Sequence, residues 1–172
     1  HLQGIVDGVN ITDNQTGMVR MSSWATSLIV KEQGLEPIYQ MVCRDRNRLA
    51  MQADVLGASA LGVNTMLCLS GDHQQFGDHP HAKGVFDVDS IQLLAMVKNM
   101  RDEGKFQGGA DIDEPPKMFI GAAANPFAEP YAWRVHRLAK KIQAGADFIQ
   151  TQCIYNMQRM REWTKQAVDM GL

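Results

Sequence analysis

The chain has 172 residues, with 17 Lys+Arg against 19 Asp+Glu, 45% apolar residues and 21% charged ones, which is the composition of an ordinary globular protein and excludes disordered and collagen-like classes. A net charge of −2 supplies no basic field to hold a nucleic-acid duplex or an anionic membrane, and no apolar run is long enough to cross a bilayer, so neither is an expected partner.

In chain order, β-rich runs at residues 5–12, 36–43, 64–70, 117–123 and 147–153 alternate with helical patterns at 21–31, 46–60, 87–103, 129–144 and 156–170. That alternation predicts an α/β fold with a parallel sheet, and no break in composition divides residues 1–172 into two domains. Gly34, Gly62, Gly104, Gly145 and Gly171 punctuate the helix ends, and Pro130 is placed in the first turn of its helix. The units recur about every 30 residues, with one interval of about 53 between the third and fourth strands. This insertion contains a polar, His-bearing loop at 71–84 and a Gly/Asp/Pro-rich turn at 104–116. Ligands of parallel α/β folds bind at the carboxyl ends of the strands. The 71–84 loop is therefore the first candidate for function, and 104–116 belongs to the opposite face.

The three cysteines, Cys43, Cys68 and Cys153, are odd in number and widely spaced, as in a reduced, cytoplasmic protein, and residues 1–10 do not read as a secretion signal. Cys43 and Cys153 end strands without a histidine partner and read as buried thiols rather than nucleophiles. The 11 methionines read as core filler.

Polar residues gather at successive strand ends: Thr12 to Asn14, Gln40 to Asp45, Ser70 to His73, Asn125, and Gln150 to Gln152. Any one of them could simply cap a strand, but a barrel rim brings such positions together. Asp72 follows an apolar strand and a glycine, which suits either a turn aspartate or a carboxylate held against a developing cation. Gln150 and Gln152 share a strand face and require a polar network or a ligand. His73, His79 and His81 lie in one flexible loop and read as solvated, and no metal site is assigned. Neither G-x-G-x-x-G nor G-x-x-x-x-G-K-[ST] occurs, so a nucleotide cofactor would be held by strand-end loops and isolated basic residues such as Lys141.

Four ordered segments resemble the methylenetetrahydrofolate reductase family: Leu-Ser-Gly-Asp at 69–72, Val-Phe-Asp-Val-Asp-Ser at 85–90, Gly-Ala-Ala-Ala-Asn-Pro-Phe at 121–127, and Lys-Lys-Ile-Gln-Ala-Gly-Ala-Asp-Phe-Ile-Gln-Thr-Gln at 140–152. The resemblance implies a (βα)8 TIM barrel of which this chain supplies about five βα units, the second to the sixth. It also implies FAD as cofactor and reduction of 5,10-methylenetetrahydrofolate to 5-methyltetrahydrofolate in one-carbon metabolism. Carried over by position, Asp72 looks like the aspartate that favours the iminium form of the folate, and Gln152 like the glutamine that binds the pterin. Thr12, Gln40, Ser70, Gly71, Asp72, Phe86, Asn125 and Lys141 match flavin-lining positions. Gln40 stands where histidine is common, Ser70 where arginine can occur, and Phe86 and Asn125 where tyrosine is found. The family's general acid, a glutamate of the first strand, is expected outside these residues. The electron donor is expected to be NAD(P)H or a redox protein, and the chain to form an oligomer or a subunit of a complex.

A flavin-free, pterin-binding barrel serving methyl transfer to a corrinoid partner is the alternative expectation, because Asp72 and Gln152 could bind a pterin without redox chemistry. At about 34 residues per unit, eight units need roughly 275 residues against the ~250 typical of such barrels, so the chain is expected to be a middle segment.

Overall fold

The computed structural model describes residues 2–172. Five strands, β1 (Val9–Ile11), β2 (Pro37–Val42), β3 (Thr65–Leu69), β4 (Phe119–Ala124) and β5 (Phe148–Thr151), form one all-parallel sheet in sequential order. Helices α1 (Ser23–Glu32), α2 (Arg48–Ala60), α3 (Ser90–Asp102) and α4 (Ala132–Gln143) connect successive strands, and α5 (Met157–Asp169) follows β5. The expected α/β alternation is present throughout, with five of its units.

The register divides the strand residues into two faces. Tyr39, Met41, Met66, Cys68, Ile120 and Ala122 point outward into a continuous core with Met51 and Val55 of α2 and Leu93, Val97 and Met100 of α3. Met41, Met51, Met66 and Met100 are fully buried there, as the filler reading expects. A smaller cluster of Val135, Leu138, Trp163 and Ala167 holds α4 against α5.

The other face carries Asn10, Ile38, Gln40, Val42, Thr65, Leu67, Phe119, Gly121, Phe148 and Gln150 in register. The sheet curls around this face so far that its two edges touch: Asn10 Nδ2 of β1 donates to Gln150 Oε1 of β5 at 2.6 Å. At the end where the strands begin, Phe119 and Phe148 stack with ring centroids 5.1 Å apart. Gly121 makes room for this pair, since a Cβ there would come within 2.1 Å of the Phe148 ring.

Local signals explain the helix starts. Asn47 caps α2 by accepting from Leu49 N and Ala50 N, Asp89 and Gln92 form a capping box on α3, and Asn156 accepts from Arg159 N at α5. Expectations fail at several element ends, the fifth strand among them, since β5 stops at Thr151 short of Cys153. Residues 5–8 are not strand: Leu2 O accepts from Ile5 N and Val6 N in a turn around Gly4, whose φ of 76° ends extended pairing. Pro130 precedes α4 instead of lying in its first turn, and its carbonyl accepts from Trp133 N.

The 104–116 turn runs beside α2, where Gln107 N donates to Gln52 Oε1 and Lys117 N to Ser59 Oγ, and it enters β4 from the strand's N-terminal end. No helix among the described residues is long and apolar enough to cross a membrane.

Candidate functional site

The C-terminal ends of the strands open onto a cleft of about 470 Å³ on the concave face. Strand alternation places Gln40, Val42, Leu67, Leu69, Ala123, Gln150 and Gln152 along its wall, and the loops after β1 and β3 add Thr12, Ser70, Gly71 and Asp72. Polar groups thus outnumber the apolar Val42, Leu67 and Leu69 in the lining of the cleft.

Gly71 directs the chain into this mouth. Its φ of +87° is reached cheaply only by glycine, and a Cβ at this position would meet Val42 Cβ at 3.0 Å and Arg44 Cβ at 3.3 Å. The turn therefore packs directly on the end of β2 and delivers Asp72 to the rim. Ser70 Oγ accepts from Ser90 N at 3.3 Å, tying the same turn to the start of α3.

A second, smaller cavity of about 170 Å³ adjoins the cleft and shares Ala123 and Gln152 with it. Asn125, Arg134, Arg137 and Lys141 line it. Lys141 is only 8% exposed and its ammonium donates to the Ala123 carbonyl. Burial, assisted by the nearby Arg137 charge, lowers its pKa from the usual lysine value. Asn125 Oδ1 accepts from Phe127 N in a tight turn, which shapes this rim.

The structure thus brings Thr12, Gln40, Ser70, Gly71, Asp72 and Gln152 to one cleft, with Asn125 and Lys141 in the adjoining cavity. Phe86 lines neither. It adopts a φ of 42° on the segment before α3, where its N–H donates to Cys43 O. Cys153 is exposed rather than buried, and it lies past the end of β5. Cys43 and Cys68 are buried, and burial pushes the Cys43 thiol up to about 12, which removes it as a nucleophile. His136 is exposed on α4, edge-on to Trp133. Among the described residues, no group of three His, Cys, Asp or Glu side chains is placed to hold a metal ion.

The sequence places Asp13, Arg44 and Asp45 at the strand ends but does not show the charged network they form with Arg46. Asp13, 2% exposed, accepts from Val42 N at 2.9 Å and from both terminal nitrogens of Arg46 at 2.7 and 3.2 Å. Arg46 also reaches Asp54 of α2 at 3.0 Å. Arg44, likewise 2% exposed, pairs side-on with Asp45 at 2.7 and 2.8 Å. Burial alone would raise the Asp45 pKa, but hydrogen bonds from Arg44 and Asn14 hold it below the usual carboxylate range. The available signal was the Arg-Asp-Arg run at 44–46, directly after a strand and facing Asp13 at the end of the neighbouring one.

A family model described as methylenetetrahydrofolate reductase matches residues 2–172. A protein of Caenorhabditis elegans named "Probable methylenetetrahydrofolate reductase (NADPH)" is 23% identical over 159 residues, covering 90% of this chain. The chain spans 21% of that relative's length.

Proposed function

Because the chain belongs to the methylenetetrahydrofolate reductase family, we propose that it forms the folate- and flavin-binding part of an oxidoreductase that reduces 5,10-methylenetetrahydrofolate to 5-methyltetrahydrofolate. The observation that carries this reading is the meeting of Asp72 from the β3 loop and Gln152 from the end of β5 in one cleft, with the buried Lys141 ammonium in the cavity that shares Gln152.

The residues suit FAD. A cleft of about 470 Å³ with apolar Val42, Leu67 and Leu69 beneath polar edges accommodates a flat ring system. Gly71 lets the rim turn pack on the end of β2, which brings Asp72 to the cleft. Lys141, with Arg137 beside it in the adjoining cavity, supplies positive charge for a diphosphate. Bound there, FAD would supply the hydride for the reduction. Thr12, Gln40 and Ser70 would hold the ring's polar edge, and Asn125 would border the phosphate end.

Asp72 would place its carboxylate against the positive charge that develops when the folate opens to an iminium, and so favour that form. Gln152 would orient the pterin through its amide, which can donate and accept at once. Asp13, the other carboxylate of the cleft wall, is committed to Arg46 and Val42 N and supports the rim rather than moving a proton. A reduced nicotinamide is the proposed electron donor, in keeping with the name of the nematode relative.

The test is flavin uptake by the full-length protein that contains this chain. A yellow protein that oxidises methyltetrahydrofolate with an acceptor dye supports the reading. A protein that takes up no added FAD, or one whose folate activity requires cobalamin, overturns it.

A further inference from the structure

Arg44 makes more polar contacts than any structural need of β2 explains. Its Nε and Nη2 pair with Asp45 at 2.7 and 2.8 Å, and the same Nη2 donates to Asn14 O at 3.0 Å. Nη1 donates to Asp72 O at 2.9 Å. Its own carbonyl accepts from Val85 N at 2.7 Å. One buried residue at the end of β2 therefore touches the loop after β1, the loop after β3 and the segment leading to α3.

We propose that Arg44 is a positioning residue: its guanidinium joins the β1 and β3 loops and fixes the backbone of Asp72, and with it the carboxylate, at the mouth of the cleft. The inference rests on the role proposed above for Asp72 and adds the device that aims it. Three features support it. The bond goes to the Asp72 carbonyl, so the carboxylate is not spent on Arg44. Gly71 packs against Arg44 Cβ, which leaves the turn little freedom to swing independently. The contacts on Asp45, Asn14 and Asp72 require donors fixed in one plane, which arginine presents and lysine does not.

The two loops also meet each other. Val19 N donates to Asp78 Oδ1 at 3.2 Å, and Gly77 approaches Gly17 so closely that a Cβ on it would fall 1.9 Å from Gly17 O. Asn14 and Thr16 take φ values of 44° and 59°, a left-handed conformation that side chains rarely adopt and that surrounding contacts must hold. Arg44 supplies one such contact directly, at Asn14.

The test uses the full-length protein with Arg44→Lys, which keeps the charge and loses the fork, and with Asp45→Asn as a milder variant should the first fail to fold. In the flavin-free protein, amides of residues 13–17 and 70–74 should exchange with solvent about tenfold faster together, while those of β2 to β4 stay unchanged. In the flavin-loaded protein, hydride transfer to the folate should fall about tenfold and flavin reduction by the donor should stay within about twofold. Added to Asp72→Asn, Arg44→Lys should lower folate reduction by less than about twofold further, because both act through one group. Loosening of only one loop, an equal loss in both half-reactions, or a full additional loss on Asp72→Asn overturns the proposal. If Asp72→Asn alone leaves folate reduction intact, the functional reading of Asp72 falls together with the kinetic half of this proposal. The exchange result then still decides whether Arg44 couples the loops.

Discussion

Asn10 and Gln150 lie 140 residues apart, on the two outermost strands, yet their side chains are joined by a hydrogen bond of 2.6 Å across the concave face. A flat or gently twisted sheet of five strands would hold these edges far apart, at nearly 5 Å per strand. The bond therefore records the curl that turns the strand ends inward and lets β1, β3 and β5 contribute to one cleft. Asn10→Ala should lower stability by about 0.5–1.5 kcal/mol, the net worth of one neutral hydrogen bond, in a urea titration. An unchanged midpoint would mean that the curl is set entirely by the helices packed outside.

The opposite end of the concave face depends on volume rather than polarity. Gly121→Ala would drive a methyl group into the Phe148 ring, and overpacking of this kind costs about 1–3 kcal/mol. Phe148→Leu in the same chain should recover part of that loss. Denaturation midpoints of the two single variants and the double variant measure the coupling, and strict additivity would contradict the contact.

Much of this arrangement was legible in the sequence, and the misses have physical causes. The five strands and five helices follow from apolar periodicity because parallel strands covered by helices are apolar on the outer face, as Tyr39, Met41, Met66 and Ile120 are. Residues 5–8 were misread because Ile5 looks like strand, whereas Gly4 turns the chain and leaves Ile5 76% exposed. Asp72 and Gln152 line the mouth of the cleft, where the family resemblance and their position after apolar strands put them. Asp13 and Arg44 are also read at the strand ends, but their pairing and the place of Arg46 are not legible there, because arginines at a strand end ordinarily read as solvated and only the fold shows these two turned onto carbonyls and carboxylates.

That buried network should dominate stability near the rim. Asp13→Ala leaves Arg46 without its principal partner and Val42 N without an acceptor, and breaking a buried pair on one side costs about 3–5 kcal/mol. Asp13→Asn keeps an acceptor for Val42 N and should cost less. Chemical denaturation of both variants checks the order, and equal losses would show that the charge, not the hydrogen bond to β2, matters.

Lys141 should reveal its burial in alkali. Its pKa is lowered in the folded protein, so between that value and the unfolded lysine value of 10.5 the unfolded chain holds more protons. Stability attributable to this group is therefore lowest at neutral pH and rises as the pH climbs through that window. Lys141→Met should remove this rise, so that the wild type gains stability relative to the variant as the pH increases. The same substitution should weaken FAD binding by about tenfold or more through loss of a charge-assisted contact to phosphate. A pH-independent difference in stability would contradict the buried ammonium, and unchanged FAD affinity would contradict its place beside the diphosphate.

The most direct measurement is a single anaerobic turnover. Full-length protein is loaded with FAD, reduced, and mixed with 5,10-methylenetetrahydrofolate while the flavin absorbance is followed. The account predicts reoxidation of the flavin with one 5-methyltetrahydrofolate formed per flavin, and a loss of about 10²-fold or more in that rate for Asp72→Asn at undiminished flavin content. A flavin that stays reduced in the presence of the folate, or an Asp72→Asn protein that reacts as fast as wild type, would contradict it.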